Sequence, residues 1–393
     1  IFYFIFILYK MDGIIYHSVD ASNSKSSYGE TDTLDFILSN DASRDLLLNP
    51  QYGVRIEGKI RVNSTGVTRQ DNSIAVHFDN LVGIHGVVES IACEFQNVGQ
   101  IELINEYSRM VKAEQSATKS LDDMNNALQQ VELKSCAVEA SREYCSGYYT
   151  TDCGTGVAVT SGTDDSIRDM DFSFKPSFVL NHSSGNAPFS KTGFIKISIN
   201  LARDANFLQG VAQTINNNYS LSEVRCCYYT VPANPSPPPV IMRRMLNIKT
   251  SLNSGHANLS ARVPATCSGM FVNFQPSANE NALVTNNYQL HSLPQLNYVQ
   301  FQFSSSTSQY IAYKIEDRGD QLHKFLEAMG SVSGHNNVSA EKWKANNTFG
   351  LGLDFNSAVN LSNSQFNVEI DSSFDFSTNP YVAYLYFKSE VQL

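Results

Sequence analysis

The chain has 393 residues and a mass of 43.6 kDa, with 42% hydrophobic residues, 17% charged residues, 19 Tyr and 23 Phe. That length predicts two domains of roughly 150–200 residues, and the low charge with abundant aromatics excludes a disordered chain or a long coiled coil. A net charge of −10 argues against nucleic-acid binding by the bulk surface, where phosphate contacts dominate affinity, and no run approaches the ~20 apolar residues of a membrane-spanning helix.

The first nine residues, Ile1 to Tyr9, are all apolar. The run is too short to span a bilayer and lacks the basic flank and cleavage site of a signal peptide. It reads as an overhang upstream of a start at Met11, as an arm docking on a neighbouring subunit, or as a membrane anchor; residues 1–28 are assigned as an N-terminal arm. Period-two alternation then dominates. Leu34, Phe36 and Leu38 alternate; so do Val54, Ile56, Ile60 and Val62, with Arg55, Glu57, Lys59 and Arg61 on the other face; Ile74, Val76 and Phe78 follow. One segment departs from this. From Glu106 to Leu133 the chain is rich in helix formers, and Met110, Ala113, Ala117, Leu121, Met124, Leu128 and Val131 recur at three or four, which predicts one or two amphipathic helices near 106–133. Alternation returns at Ile195, Ile197, Ile199 and Leu201. Five prolines between Val231 and Pro239 cannot continue a sheet ladder and predict a stiff linker over 232–240. Beyond it, strands are predicted at 299–303, 311–315, 351–355, 366–370 and 382–386, with a short helix over Gln321 to Met329. Many short strands separated by turn clusters predict an all-β chain of two sandwich domains, 29–231 and 241–393, with short helical insertions.

Catalytic patterns are sparse. No G-x-S-x-G, H-E-x-x-H or G-x-x-x-x-G-K-[ST] occurs, and the G-x-G of Cys153-Gly154-Thr155-Gly156 reads as a turn. The seven cysteines include no CxxC pair; most read as buried small hydrophobes, and the turn between Cys145 and Cys153 leaves room for a bridge. The seven N-x-[ST] sequons are expected by chance in a chain so rich in Asn and Ser. His85, within an apolar run, reads as a hydrogen-bonded core or interface histidine rather than a ligand or base. Asp122-Asp123 and Asp164-Asp165 read as solvated faces, and Trp343, between Lys342 and Lys344, as an exposed loop anchor rather than a sugar- or base-stacking ring. No catalytic, cofactor-binding or metal-binding residue is singled out, and the chain reads as structural or binding rather than enzymatic.

The order of segments resembles double jelly-roll capsid proteins of polinton-like viruses, adintoviruses and virophages. The segments are TLDFIL (33–38), SRDLLLNP (43–50), YGVRIEGKI (52–60), DNLVGIHGVVESI (79–91), EFQNVGQIE (94–102), FIKISINLARDAN (194–206), LSEVRCCYYTVP (221–232) and YVAYLYF (381–387). The family more often carries bulky apolar residues where this chain has Gly86-Val87. The resemblance implies two consecutive jelly rolls and a major capsid protein whose homotrimer forms a pseudo-hexameric capsomer of an icosahedral shell. Its partners would be neighbouring capsomers and penton or minor capsid proteins, with no direct nucleic acid and an internal membrane left open. Its location would be the virion, assembled in the host cytoplasm or nucleus. A penton or minor capsid protein of the same virion, a β-sandwich glycan-binding protein or glycoside hydrolase, and a capsid-derived protein domesticated by a host genome are the alternatives.

Overall fold

A computed structural model of the chain describes residues 13–38, 41–48, 53–65, 77–79, 81–119, 131–133, 144–147, 170–208, 216–263, 265–282, 287–305, 309–331, 338, 343, 349–362 and 364–393. The first half forms β1 (Ile15–Asp20), β2 (Thr33–Leu38), β3 (Arg44–Leu48), β4 (Arg55–Thr65), β5 (His77–Asp79), β6 (Val88–Phe95), β7 (Gly99–Asn105), β8 (Tyr144–Gly147), β9 (Met170–Phe174), β10 (Gly185–Pro188), β11 (Ile195–Leu201) and β12 (Asn216–Pro232). The second half forms β13 (Ile241–Leu252), β14 (His256–Arg262), β15 (Thr266–Pro276), β16 (Leu296–Ser305), β17 (Gln309–Ile315), β18 (Leu351–Asn360), β19 (Ser364–Ser372) and β20 (Tyr381–Gln392). Helices are α1 (Tyr107–Thr118), α2 (Val179–His182), α3 (Phe189–Thr192), α4 (Asp204–Phe207) and α5 (Arg318–Met329). No helix among the described residues is long and apolar enough to cross a membrane.

Each half is a jelly roll of two antiparallel sheets. In the first, β1-β12-β4-β9 makes one sheet, extended beside β12 by β3 and β10, and β2-β11-β6-β7 makes the other. In the second, the sheets are β13-β20-β15-β18 and β14-β19-β16-β17. Taking the eight principal strands of each roll in chain order, both place the first, eighth, third and sixth in one sheet and the second, seventh, fourth and fifth in the other. The segment expected to be an arm, 1–28, therefore holds the first strand of the first roll. Six consecutive pairs, from Ile15–Thr230 to Asp20–Arg225, lay it antiparallel on β12. Residues 1–12, and with them the apolar run Ile1 to Tyr9, lie outside the described residues.

The predicted alternation holds where a sheet has one wet face. Leu34, Phe36 and Leu38 of β2 and Ile195, Ile197, Ile199 and Leu201 of β11 are buried, while Ile37 and Asn200 between them are exposed. It fails in β15 and β20, where Met270 to Gln275 and Val382 to Phe387 are buried without a break. One face of their sheet meets its own roll; the other is covered by the helices, α5 lying on β18 and β15.

The helix expected over 106–133 is observed as Tyr107–Thr118; residues 120–130 lie outside the described residues. It is not amphipathic in the expected sense, because Tyr107, Ser108, Arg109, Met110, Val111, Lys112, Ala113, Ser116 and Ala117 are all buried. Its polar side chains find partners instead of solvent. Ser108 donates to the Val88 carbonyl (2.8 Å), and the Lys112 ammonium lies 2.7 Å from Asp79 Oδ2. α5 is bounded as sequence rules expect: Asp317 accepts from the amides of Gly319 (2.7 Å) and Asp320 (3.1 Å), and Gly330 closes the helix at φ 75°.

Trp343 corrects the expectation of an exposed anchor. It is 1% exposed, its ring centroid stands 4.8 Å from that of Phe349, and its indole N–H donates to the Gly350 carbonyl at 3.2 Å. A large ring with a satisfied N–H is worth more in the second roll's core than beside its flanking lysines.

Asp79 also accepts from the amides of Leu81 (2.9 Å) and Val82 (3.1 Å), so its carboxylate anchors the turn after β5 as well as α1. Lys112→Met keeps the volume and removes the counter-charge. It is expected to lower stability by about 3–5 kcal/mol, the cost of stranding one partner of a buried ion pair, read as a shift in urea midpoint.

Candidate functional site

Among the described strands, the two rolls pair at one place, the seam between β7 and β13. β7, an edge strand of the first, lies parallel to β13, an edge strand of the second, with Leu103 opposite Leu246, and the two four-stranded sheets become one of eight: β18-β15-β20-β13-β7-β6-β11-β2. Side chains continue the pairing that the backbone begins. The Asn247 side-chain amide accepts from the Asn105 N–H (3.0 Å) and donates to the Asn105 carbonyl (2.9 Å), standing in for a peptide group of the facing strand. Arg244 Nη1 donates to the Ile101 carbonyl at 2.8 Å.

Between these bonds lies Glu102, 2% exposed. Its Oε1 accepts from the Met245 N–H of β13 and its Oε2 from the Val179 N–H of α2, both at 2.6 Å. Burial pushes its pKa up to about 8, against the two backbone donors and the Arg244 guanidinium, which pull it down. Further along, Tyr386 donates to the Glu106 carbonyl (2.9 Å), Tyr288 to the Gly86 carbonyl (2.8 Å), and Asn287 to the Ala205 carbonyl (2.8 Å). Gly86 is required there: a Cβ would stand 2.6 Å from the Phe207 ring and 3.1 Å from that of Tyr288.

A polar cleft of about 380 Å³ opens beside the seam, lined among others by Glu89, Glu106, Arg109, Arg203, Lys249 and Glu280. Its charges pair across the rolls. Lys249 Nζ bridges Glu106 (3.0 Å) and Glu280 (2.7 Å), and Arg109 reaches Glu106 (3.2 Å) while its guanidinium lies 4.6 Å from the Tyr384 ring centroid. The arrangement neutralises charge and ties β7, α1 and β13 together.

The residues weighed from sequence do not converge here. His85 is a buried histidine whose Nδ1 lies 2.8 Å from the Tyr107 hydroxyl, as expected. Cys93, Cys226, Cys227 and Cys267 are buried free thiols, also as expected, whereas Asp122-Asp123, Asp164-Asp165, the turn at 153–156 and Cys153, one half of the Cys145–Cys153 bridge, lie outside the described residues. No group of three metal-ligating side chains forms among the described residues. One cluster that sequence reasoning missed joins Ser177, His182 and Glu114. Ser177 Oγ donates to Glu114 and lies 2.7 Å from His182 Nε2, and Glu114 Oε1 lies 3.7 Å from the same nitrogen. A hydrolytic triad holds serine on Nε2 and carboxylate on Nδ1. Here both share Nε2, so the cluster has the form of a polar brace between α1 and α2.

With this geometry in hand, the chain is similar to solved structures over almost its full length. It covers 97% of itself and 86% of a chain of the Sputnik virophage at TM-score 0.60 and 11% identity. It covers 97% of itself and 90% of the Faustovirus major capsid protein at TM-score 0.57 and 9% identity, and 96% of itself and 94% of a PBCV-1 capsid chain at TM-score 0.55 and 10% identity. No protein-family model and no curated protein sequence matches it. The fold is the double jelly roll.

Glu102 gives the seam a pH signature. Its pKa rises on folding from the ordinary 4.5 to about 8, so its contribution is complete below about pH 4.5 and is lost as pH climbs through 8. Within that window the folding constant is expected to fall up to about tenfold per pH unit from this group alone. Urea titrations at pH 5, 7 and 9 check this. Glu102→Gln should flatten the slope while lowering stability at pH 5 by about 1–3 kcal/mol, because an amide N–H₂ then faces one of the two buried backbone donors.

Proposed function

We propose that this chain is the major capsid protein of an icosahedral virus, acting as a homotrimer whose rolls form a pseudo-hexameric capsomer. The observation that carries the reading is the likeness in fold to the Faustovirus and PBCV-1 capsid chains across both rolls and nearly the whole length of each chain. Two features agree with it. The seam holds the rolls through backbone, side-chain and ionic bonds, which suits a building block that must not flex. The low charge and abundant Tyr and Phe suit broad subunit interfaces, where aromatics are favoured and charge is depleted.

A structural rather than enzymatic role also fits the cleft, whose carboxylates Glu106 and Glu280 are both bound by Lys249. On this reading the protein resides in the virion shell, is assembled in the host cytoplasm or nucleus, and meets neighbouring capsomers and penton or minor capsid proteins. It makes no direct contact with nucleic acid.

Mass photometry of the purified protein is expected to give a species of three 43.6-kDa chains. Electron micrographs of concentrated material are expected to show six-lobed blocks or closed shells. Five-chain particles would instead indicate a penton, and single chains that bind or cleave glycans would replace the capsid reading altogether.

A further inference from the structure

Residues 176–183 bracket the two rolls. Phe178, Val179 and Leu180 are buried and root the segment in the core. The polar groups around them reach to both sides. Toward the first roll, Asn181 Nδ2 donates to the Val54 carbonyl (2.9 Å), the Val179 N–H to Glu102 of β7 (2.6 Å), and the Ser177 N–H to the Tyr107 hydroxyl of α1 (2.8 Å). Toward the second, Ser183 Oγ accepts from the Arg243 N–H of β13 (2.9 Å). A change that loosens this segment therefore loosens the hold of one roll on the other beside the seam.

His182 is the one titratable side chain within the bracket, and a histidine changes charge in the range where the other residue types keep theirs. It is 25% exposed, and charged groups face it from three sides. Glu114 of α1 stands 3.7 Å from its Nε2 and also accepts from Ser177 Oγ. Lys388 of β20, whose amine donates to the Ala328 carbonyl, and Lys175, just after β9, both act on it electrostatically. Behind them, Asp354 of β18 acts on Lys388, and Arg55 of β4 on Lys175. A protonated imidazole at this point joins two lysines around one carboxylate.

We propose that His182 makes the bracket an acid-opened latch: the neutral ring rests with Ser177 against Glu114 and holds residues 176–183 on α1, and the protonated ring, repelled by Lys388 and Lys175, carries the segment away from it. The rolls stay joined where β7 meets β13, so the molecule loosens at one corner without coming apart. The latch stands on this cluster alone and holds whichever assembly the chain builds.

The electrostatics run in the required direction. Burial, aided by Lys388 and Lys175, lowers the His182 pKa from its ordinary 6.5 against the upward pull of Glu114. A base whose pKa falls on folding stabilises the fold fully above its unfolded value, here 6.5, and loses that contribution as pH falls. The sign is opposite to that of Glu102, whose contribution is lost as pH rises. The two slopes oppose one another in global stability, so a local probe is needed.

Hydrogen exchange on the unaltered chain supplies it. Protection factors of the amides in 177–183 and of Arg243 are expected to fall roughly tenfold or more between about pH 7.5 and about pH 5, while the β4–β12 ladder keeps its protection. Deuterium uptake at the imidazole C2 position of His182, followed by mass spectrometry, gives the titration midpoint of the ring, which is expected to coincide with the loss of protection. His182→Gln keeps an amide that can bond Ser177 but cannot take up a proton, and it is expected to hold its protection in acid. Protection that survives acid in the parent, a loss whose midpoint departs from that of the ring, or an equal loss in His182→Gln would overturn the latch. The first two outcomes are read on the parent chain and need no variant to fold.

Discussion

The parallel meeting of β7 with β13 is the constraint from which the rest follows. By joining two four-stranded sheets edge to edge it creates one eight-stranded sheet shared by both rolls. A strand in the middle of such a sheet cannot keep a wet face once helices cover it, and Val382 to Phe387 in β20 are buried on both sides. Parallel pairs are favoured where both faces of a sheet are covered, and they gain slightly less per residue than antiparallel ones. The backbone here bridges only Leu103 and Leu246, so side chains must supply what the ladder lacks.

They do so by imitation and by charge. Asn247 presents the donor and acceptor of a peptide group to Asn105, which fixes register as a ladder would. Glu102 places one oxygen on each roll's backbone, so neither roll can slide without stranding a buried N–H. A well-packed apolar pair would hold the same surfaces with less desolvation, but it would tolerate a shift along the strand, whereas these directional bonds do not. The ionic links of Lys249 with Glu106 and Glu280 lie at the rim of the cleft, where exposure weakens each pair and the value lies in the network.

Much of the fold was legible because most strands keep one wet face. β2 and β11 bury alternate residues as a period of two requires. What hid the rest was packing that no local pattern encodes. β15 and β20 lose alternation because both faces are covered, and α1 loses its amphipathic stripe because it is buried nearly all round. Ile15–Asp20 reads as part of an arm because it follows the apolar run Ile1 to Tyr9, yet pairing with β12 makes it the first strand of a roll. Trp343 misled through its neighbours, since two flanking lysines suggest exposure while the indole turns into the core. The seam was the least legible part. Nothing in the composition of Glu102 or Asn247 distinguishes them from surface residues; their roles exist only once β13 lies beside β7.

The short edge strand β1 also limits unwanted pairing of the folded chain. A long, flat, apolar edge invites indiscriminate pairing, and β1 avoids this by being six residues long and by carrying Ser18 and Asp20 among its side chains. Six residues are too few to hold two chains firmly by backbone bonds alone, just as the single bridge between Leu103 and Leu246 is too few to hold two rolls. Inside the chain the deficit is made good by covalent connection and by the side chains of the seam. In the homotrimer proposed above a closed ring would perform the same service, because a copy held on both flanks must break two contacts to leave and an open filament end only one. Ring closure removes open edges in the way that barrel closure does within a single sheet, and weak edges then favour the closed assembly over endless growth.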